Sequence, residues 1–286
     1  MSGFAADWLA LRESADRRAR NTDVLTVVSA AFSARRDLTI VDLGCGAGSN
    51  LRALAPHLGA AQHWRLVDND QALLAAARET LIAWAGGGRE EAGRLVLQPP
   101  GRRIDVTFES ANLAEDYAAL LAERADLVTA AAFFDLVSQD WIAAVSAALA
   151  ARSLPLYAVL TYDGAEHWSP PHPADRAVLA AFHAHQSCDK GFGPAAGPKA
   201  AAGLENALHR QGYAIVSGES PWRLGADDRE LIAALADGVA AAVAETGLVP
   251  DADCRAWRTA RIAAEAAVIG HADVFAHPQS EIRTRI

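Results

Sequence analysis

The chain has 286 residues, 51% of them apolar, and a net charge of -9. That is room for one large or two small domains with a sizeable core. The acidic balance excludes broad binding to DNA or anionic membranes, both of which need a basic surface. Its three cysteines, Cys45, Cys188 and Cys254, are far apart and odd in number, which excludes a zinc framework or a disulfide scaffold and points to a reduced, cytoplasmic compartment. No signal-peptide pattern is apparent near the first residues, and the most apolar helical stretch, 231–244, is broken by Asp237 and too short to span a bilayer.

In chain order, residues 4–20 read as an amphipathic helix, with Phe4, Trp8 and Leu11 at spacings of four and three. A second helix is expected over 22–34. Residues 38–43 form a short β-branched strand that runs into Gly44-Cys45-Gly46-Ala47-Gly48-Ser49 and a helix over 49–57. A strand at 64–67 ends in Asp68-Asn69-Asp70, and an Ala-rich helix over 71–84 is stopped by Gly86-Gly87-Gly88. An edge strand at 95–97 precedes a third main strand at 104–109 and a helix at 116–124. Strands at 127–132 and 156–162 flank a helix at 140–151.

The stretch 164–198 breaks this rhythm, being rich in Pro, Gly and His with one helical piece at 174–185. Helix 199–211, strand 213–218, a strand near 221–224 and helices at 227–246 and 253–271 complete the reading. Alternating strands and helices predict one α/β domain, a doubly wound, mostly parallel seven-stranded sheet with helical additions. It divides into N-terminal helices (1–37), a cofactor-binding core (38–162), an insertion or lid (163–198) and a C-terminal part (199–286).

A strand that turns sharply into a helix needs residues that tolerate positive φ, and glycines there let a flat ligand lie against the backbone. A dinucleotide fingerprint wants glycines at its first, third and sixth positions. Here Gly44 and Gly46 meet the first two, but the sixth position is Ser49 and the third glycine is Gly48. Asp42 just before the loop suits a positively charged ligand better than a pyrophosphate.

These residues resemble the class I family of S-adenosyl-L-methionine-dependent methyltransferases. Asp42, Gly44, Gly46 and Gly48 match its first motif, an acid followed by Gly-x-Gly-x-Gly. The resemblance implies a Rossmann-like methyltransferase fold and S-adenosyl-L-methionine as cofactor, with Cys45 inside the loop that packs on it. It implies that Asp68, beside Asn69 and with Asp70 as an alternative, holds the ribose hydroxyls. Asn112 and Leu113 stand where the family contacts adenine, with Glu109 as another candidate acid.

The fourth strand ends in Phe133-Phe134-Asp135, beside the transferable methyl group in the family; ordinary core packing for the two rings and local capping for Asp135 are the competing readings. No Asn/Asp-Pro-Pro-Tyr/Phe motif and no Pro-Cys pair occur, which favours a small-molecule acceptor over nucleic acid. The lid candidate carries Tyr162, Asp163, Glu166, His167, Trp168, His172, His183, His185 and Lys190. His167 and His172, with Asp135, are the candidate bases.

His183 and His185, two apart, suit no metal, and none is expected. His271 and His277 read as a helix end and tail. Arg255, Arg258 and Arg261 read as a solvated helix face with an Arg261–Glu265 pair. The function expected is methyl transfer to a small molecule. The alternatives are a protein or RNA methyltransferase, an NAD(P)-dependent oxidoreductase, or a non-catalytic S-adenosylmethionine-binding protein. No DNA or membrane partner is expected, and a homodimer is compatible with the sequence.

Overall fold

The computed structural model describes residues 5–279. Helices α1 (Ala6–Ala19) and α2 (Thr22–Phe32) precede β1 (Asp37–Leu43), α3 (Ser49–Leu54), β2 (Ala61–Asp68) and α4 (Gln71–Ala85). A hairpin of β3 (Gly88–Glu91) and β4 (Arg94–Leu97) leads to β5 (Arg103–Ser110), α5 (Leu113–Ala122), β6 (Leu127–Ala131), α6 (Gln139–Ala151) and β7 (Leu156–Ser169). The chain continues with α7 (Asp175–Gln186), α8 (Ala200–Arg210), β8 (Tyr213–Glu219), β9 (Trp222–Leu224), α9 (Arg229–Thr246), α10 (Asp251–Ile262) and β10 (Ala266–Pro278). Phe4, read as part of the first helix, lies outside the described residues. Trp8 and Leu11 pack as that reading requires, against the core cluster around Trp168 and Trp257.

Local chemistry sets most boundaries. Asn21, Asp70, Asn112 and Ser138 each accept backbone N–H bonds at the start of α2, α4, α5 and α6, satisfying donors that a helix leaves unpaired. Gly86 ends α4 in the left-handed region, at φ 72°.

The strands form one sheet in the order β3-β4-β5-β2-β1-β6-β7-β10-β8, with β9 paired to β10. β5, β2, β1, β6 and β7 are mutually parallel. Two apolar clusters form around it, one containing Val41, Leu43 and Val128, the other Ile40, Leu66 and Val106. Because β1 lies between β2 and β6, the strand order reverses beside it, and the glycine loop sits at that switch point. No helix among the described residues is long and apolar enough to cross a membrane.

The doubly wound, mostly parallel sheet is as expected, but it has ten strands rather than seven. The antiparallel strand of its core is β10, not 222–224, which forms only a short ribbon on β10. Helix 253–271 therefore ends early. The local Ala content favours helix, but Val268, Ile269, Val274 and Phe275 fit a pleated surface, and pairing with both β7 and β8 decides the outcome. As a central strand β10 is buried on both faces, so it lacks the alternation that would have marked it.

The stretch read as an insertion or lid begins as strand and contains the expected helical piece as α7. β7 runs on to Ser169, bent where Tyr162 pairs with His271 while Glu166 pairs with Ile269. Gly270 permits that bend, since a Cβ there would come within 2.1 Å of Asp163 Oδ1. Beyond it α7 packs with α9 and α10 in a third core around Trp168, Trp222 and Trp257. Arg261 belongs to this core rather than to a solvated face. It is 1% exposed, pairs with Asp175 at 2.9 Å instead of with Glu265, and donates to the Pro170 carbonyl at 2.6 Å.

Candidate functional site

The glycine loop leaves β1 with Gly44, Gly46 and Gly48 at φ 66°, 52° and 76°, which side chains rarely adopt. A Cβ on Gly44 would meet the Phe133 ring at 2.6 Å, so the end of β6 lies directly against the loop. Four of the loop's N–H groups are used internally. Gly44 and Cys45 both donate to the Val67 carbonyl, at 2.9 and 3.0 Å, and Gly48 donates to the Cys45 carbonyl at 2.9 Å. Gly46 donates to Asp68 Oδ2 at 2.9 Å. Cys45 is buried, and burial raises its thiol pKa well above the usual value, so it stays protonated and packs rather than attacks.

Asp68 ends β2 and is 8% exposed. Its Oδ1 accepts from the Asp70 N–H at 3.0 Å. Two backbone donors leave about half of a carboxylate's four acceptor positions for a ligand. Asn69 beside it is exposed. Asp70 is committed to capping α4. Asn112 is exposed, and its side-chain oxygen caps α5 through Ala114 N–H at 3.2 Å. Leu113 is core, and its carbonyl accepts from Trp141 Nε1 at 2.9 Å. Glu109 is held in a bidentate pair with Arg65 at 2.7 and 2.9 Å.

Asp42, read as suited to a positively charged ligand, is instead closed off beneath the loop, at 0% exposed. Its Oδ1 accepts from Asn50 Nδ2 at 2.7 Å, Asn50 Oδ1 accepts from Arg20 Nη2 at 2.7 Å, and Asn50 Nδ2 also reaches Thr129 Oγ1 at 3.1 Å. This network ties α1's C-terminal end to α3, β1 and β6. Burial pushes the Asp42 carboxyl up to about 7, against the opposing Asn50 hydrogen bond and the Arg20 charge.

α1 lies against the loop, and from 163–198 Phe192 packs on the Phe133 ring that borders it, their centroids 5.8 Å apart. Leu9 Cδ1 would stand 3.0 Å from a Cβ on Gly46. Glu13 pairs with Arg52 of α3 at 2.6 Å, and Arg52 also donates to the Ala47 carbonyl.

Asp135 is buried in the turn after β6, and burial raises its carboxyl to about 6. The two histidine candidates lie elsewhere. His167 is exposed on the outer part of β7, opposite Val268. His172 starts α7, donating its N–H to Asp175 and accepting at Nδ1 from Ala174 N–H. Neither is brought beside the loop by a described contact.

The Tyr162 hydroxyl instead donates to Glu166 Oε1 at 3.0 Å and meets His183 Nε2 at 3.0 Å, and Trp168 Nε1 donates to Glu166 Oε2 at 3.2 Å. Burial raises the Glu166 and Tyr162 pKa values and lowers that of His183. Leu9, Arg12, Asn50, Thr129 and His271 were not singled out for a site in the sequence, and no short motif marks them. Only the β-branched run around His271 hinted that it stands in a strand.

No family model matches the chain, and no curated protein matches it. Solved structures do. A cyclopropane-fatty-acyl-phospholipid synthase-like protein from Lactobacillus casei ATCC 334 superposes with a TM-score of 0.52 at 18% identity, over 92% of each chain. A SAM-dependent methyltransferase from Geobacter sulfurreducens in complex with S-adenosyl-L-homocysteine gives 0.45 at 17% identity, over 96% of this chain and 99% of that one. The magnesium protoporphyrin IX methyltransferase from Synechocystis PCC 6803 with bound SAH gives 0.42 at 16%, over 75% and 77%. What the chain shares with the first of these is its fold, a doubly wound, mostly parallel sheet wrapped by helices.

Proposed function

We propose that the protein is an S-adenosylmethionine-dependent methyltransferase acting on a small molecule in the cytoplasm. The observation that carries this reading is the hydrogen-bond pattern of the glycine loop. A dinucleotide pyrophosphate needs free N–H groups at the turn. Gly44, Cys45, Gly46 and Gly48 have already given theirs to Val67, Asp68 and Cys45. What stays available is bare glycine backbone and the remaining acceptor capacity of Asp68, a surface for an uncharged ribose diol rather than a phosphate.

The residues fit this cofactor. Gly44, Gly46 and Gly48 would lie against its methionine part, Asp68 would take both ribose hydroxyls with Asn69 beside it, and Asn112 and Leu113 would flank the adenine. Asp42 acts through Asn50, holding the start of α3 in place beneath the loop. When bound, the cofactor supplies an electrophilic methyl group on a sulfonium. The chain's own contribution is to align, to exclude water with α1 and Phe133, and to hold the acceptor.

The test is calorimetric titration with S-adenosylhomocysteine, with NAD as control. Micromolar binding of the first and none of the second is expected, and Asp68→Ala should weaken it about a hundred-fold by removing a charge-assisted bidentate contact. Binding of NAD in place of S-adenosylhomocysteine would overturn the reading.

A further inference from the structure

The glycine backbone that the cofactor would lie against is already touched by two side chains of this chain. A Cβ on Gly44 would meet the Phe133 ring at 2.6 Å, and one on Gly46 would meet Leu9 Cδ1 at 3.0 Å. The two are held with different firmness. Phe133 is 8% exposed and stands at the end of β6 among Phe134, Trp141 and Phe192, with ring centroids 6.0, 5.6 and 5.8 Å away. Leu9 is half-buried on α1, a helix with a single buried side chain, Ala15. The neighbouring α2 buries Val24, Val28 and Phe32. Of the two contacts on the loop, Leu9 is therefore the one that can yield.

α1 is attached in large part through polar groups. Glu13 pairs with Arg52 of α3 at 2.6 Å, Asp16 accepts from Trp222 Nε1 of β9 at 2.9 Å, and Arg18 pairs with Asp228 at 2.6 Å. Trp8, Leu11 and Ala19, each half-buried, join Ala15 in the apolar part of the contact. Partly exposed ion pairs of this kind are individually weak.

The C-terminal end of α1 is fixed instead. Arg20 donates to Asn50 Oδ1 at 2.7 Å, the Asn21 N–H donates to Asp273 Oδ2 at 2.9 Å, and the backbone of both residues is extended between α1 and α2. A helix joined to the body by a short extended link can tilt about that link as a rigid rod. Leu9 stands eleven residues before Arg20, a lever arm of about 16 Å at the rise of an α-helix, so a tilt of about 20° carries it about 5 Å from Gly46.

We propose that α1 is a gate on the cofactor site. Leu9 seated on Gly46 and the cofactor seated there exclude one another, and α1 pivots about Arg20 and Asn21 to admit it. This rests on the methyltransferase reading above. A site open for only part of the time binds with an apparent affinity reduced by the open fraction. The Glu13–Arg52 pair biases that fraction toward the closed form, since it joins α1 to the helix that leaves the loop. Trimming Leu9 or breaking that pair raises it.

The experiment measures the rates of S-adenosylhomocysteine binding to the immobilised full chain by surface plasmon resonance. Leu9→Ala should raise the association rate about ten-fold, change the dissociation rate by less than about three-fold, and tighten the affinity accordingly. Glu13→Gln leaves the contacts of Leu9 and the loop in place, and should raise the association rate by about three-fold. Should Leu9→Ala fail to fold, Glu13→Gln carries the test. An unchanged association rate in the folded variants, or a faster dissociation in place of faster association, would overturn the gate and leave the functional reading standing. Failure of the wild-type chain and of both variants to bind S-adenosylhomocysteine would remove the functional reading and the gate together.

Discussion

Two buried aspartates flank the glycine loop, and they are held very differently. Asp42 below the loop is anchored by the Asn50 amide, which is itself held by Arg20 and Thr129. Asp135 beside the loop has no side-chain donor and is held by backbone N–H groups, that of Tyr162 on β7 among them; each aspartate keeps one unpaired oxygen. A carboxylate with a built donor chain holds helices to a sheet. One held by backbone donors alone ties its turn to the neighbouring strand. The two regions should therefore answer mutation differently.

Asn50→Leu should give the largest effect. It removes the donor to Asp42 and the acceptor for Arg20, leaving two buried polar groups unpaired. A loss of about 3 kcal/mol is expected from chemical denaturation. A loss under about 1 kcal/mol would show that the two regions do not differ as argued.

The pH dependence of stability sharpens the contrast. The Asp42 and Asp135 carboxyls are raised to about 7 and about 6, from 3.8 in both cases, so the folded state holds these protons more tightly than the unfolded chain. Their contribution therefore falls as pH rises from about 4 toward 7 and is level above that. His271 has the opposite sign. Burial lowers it from 6.5 to about 3, so its contribution is lost as pH falls from about 6.5 toward 3. Denaturation midpoints across this window should tilt toward higher stability at low pH in His271→Gln, and the reverse in Asp42→Asn. Parallel changes in both variants would contradict the assignment.

Arg52→Ala should give the smallest effect. It releases Glu13 on α1 from α3 across a partly exposed pair, at about 1 kcal/mol or less. Amide exchange in α1 should quicken while that of β1 and β2 stays unchanged. Unaltered exchange in α1 would mean that its hold on the loop comes from Leu9 and Trp8 rather than from this pair.

The contrast also tracks how well each region could be read in advance. The loop announces itself locally. Glycines at alternate positions after a β-branched strand, and an acid at the end of the next strand, can be read from a dozen residues, and the structure places Asp68 on Gly46. The Asp135 region could not be read that way. Tyr162 was read as the last residue of a strand leading into the lid candidate, and His271 as the end of a helix. They became neighbours only because β7 continues past 162 and β10 inserts between β7 and β8.

Local propensity and turn chemistry belong to neighbouring residues, so composition and spacing alone were enough for the alternation of strands and helices, the glycine stop of α4, and the glycine turn. Strand against helix at 266–278, the embrace of the loop by α1, and the pairing of His271 with Tyr162 rest on contacts between residues up to two hundred or more apart in the chain, such as Asn21 with Asp273. There the Ala-rich sequence is nearly neutral between helix and strand, and burial against two partner strands, available only in the folded molecule, made the choice.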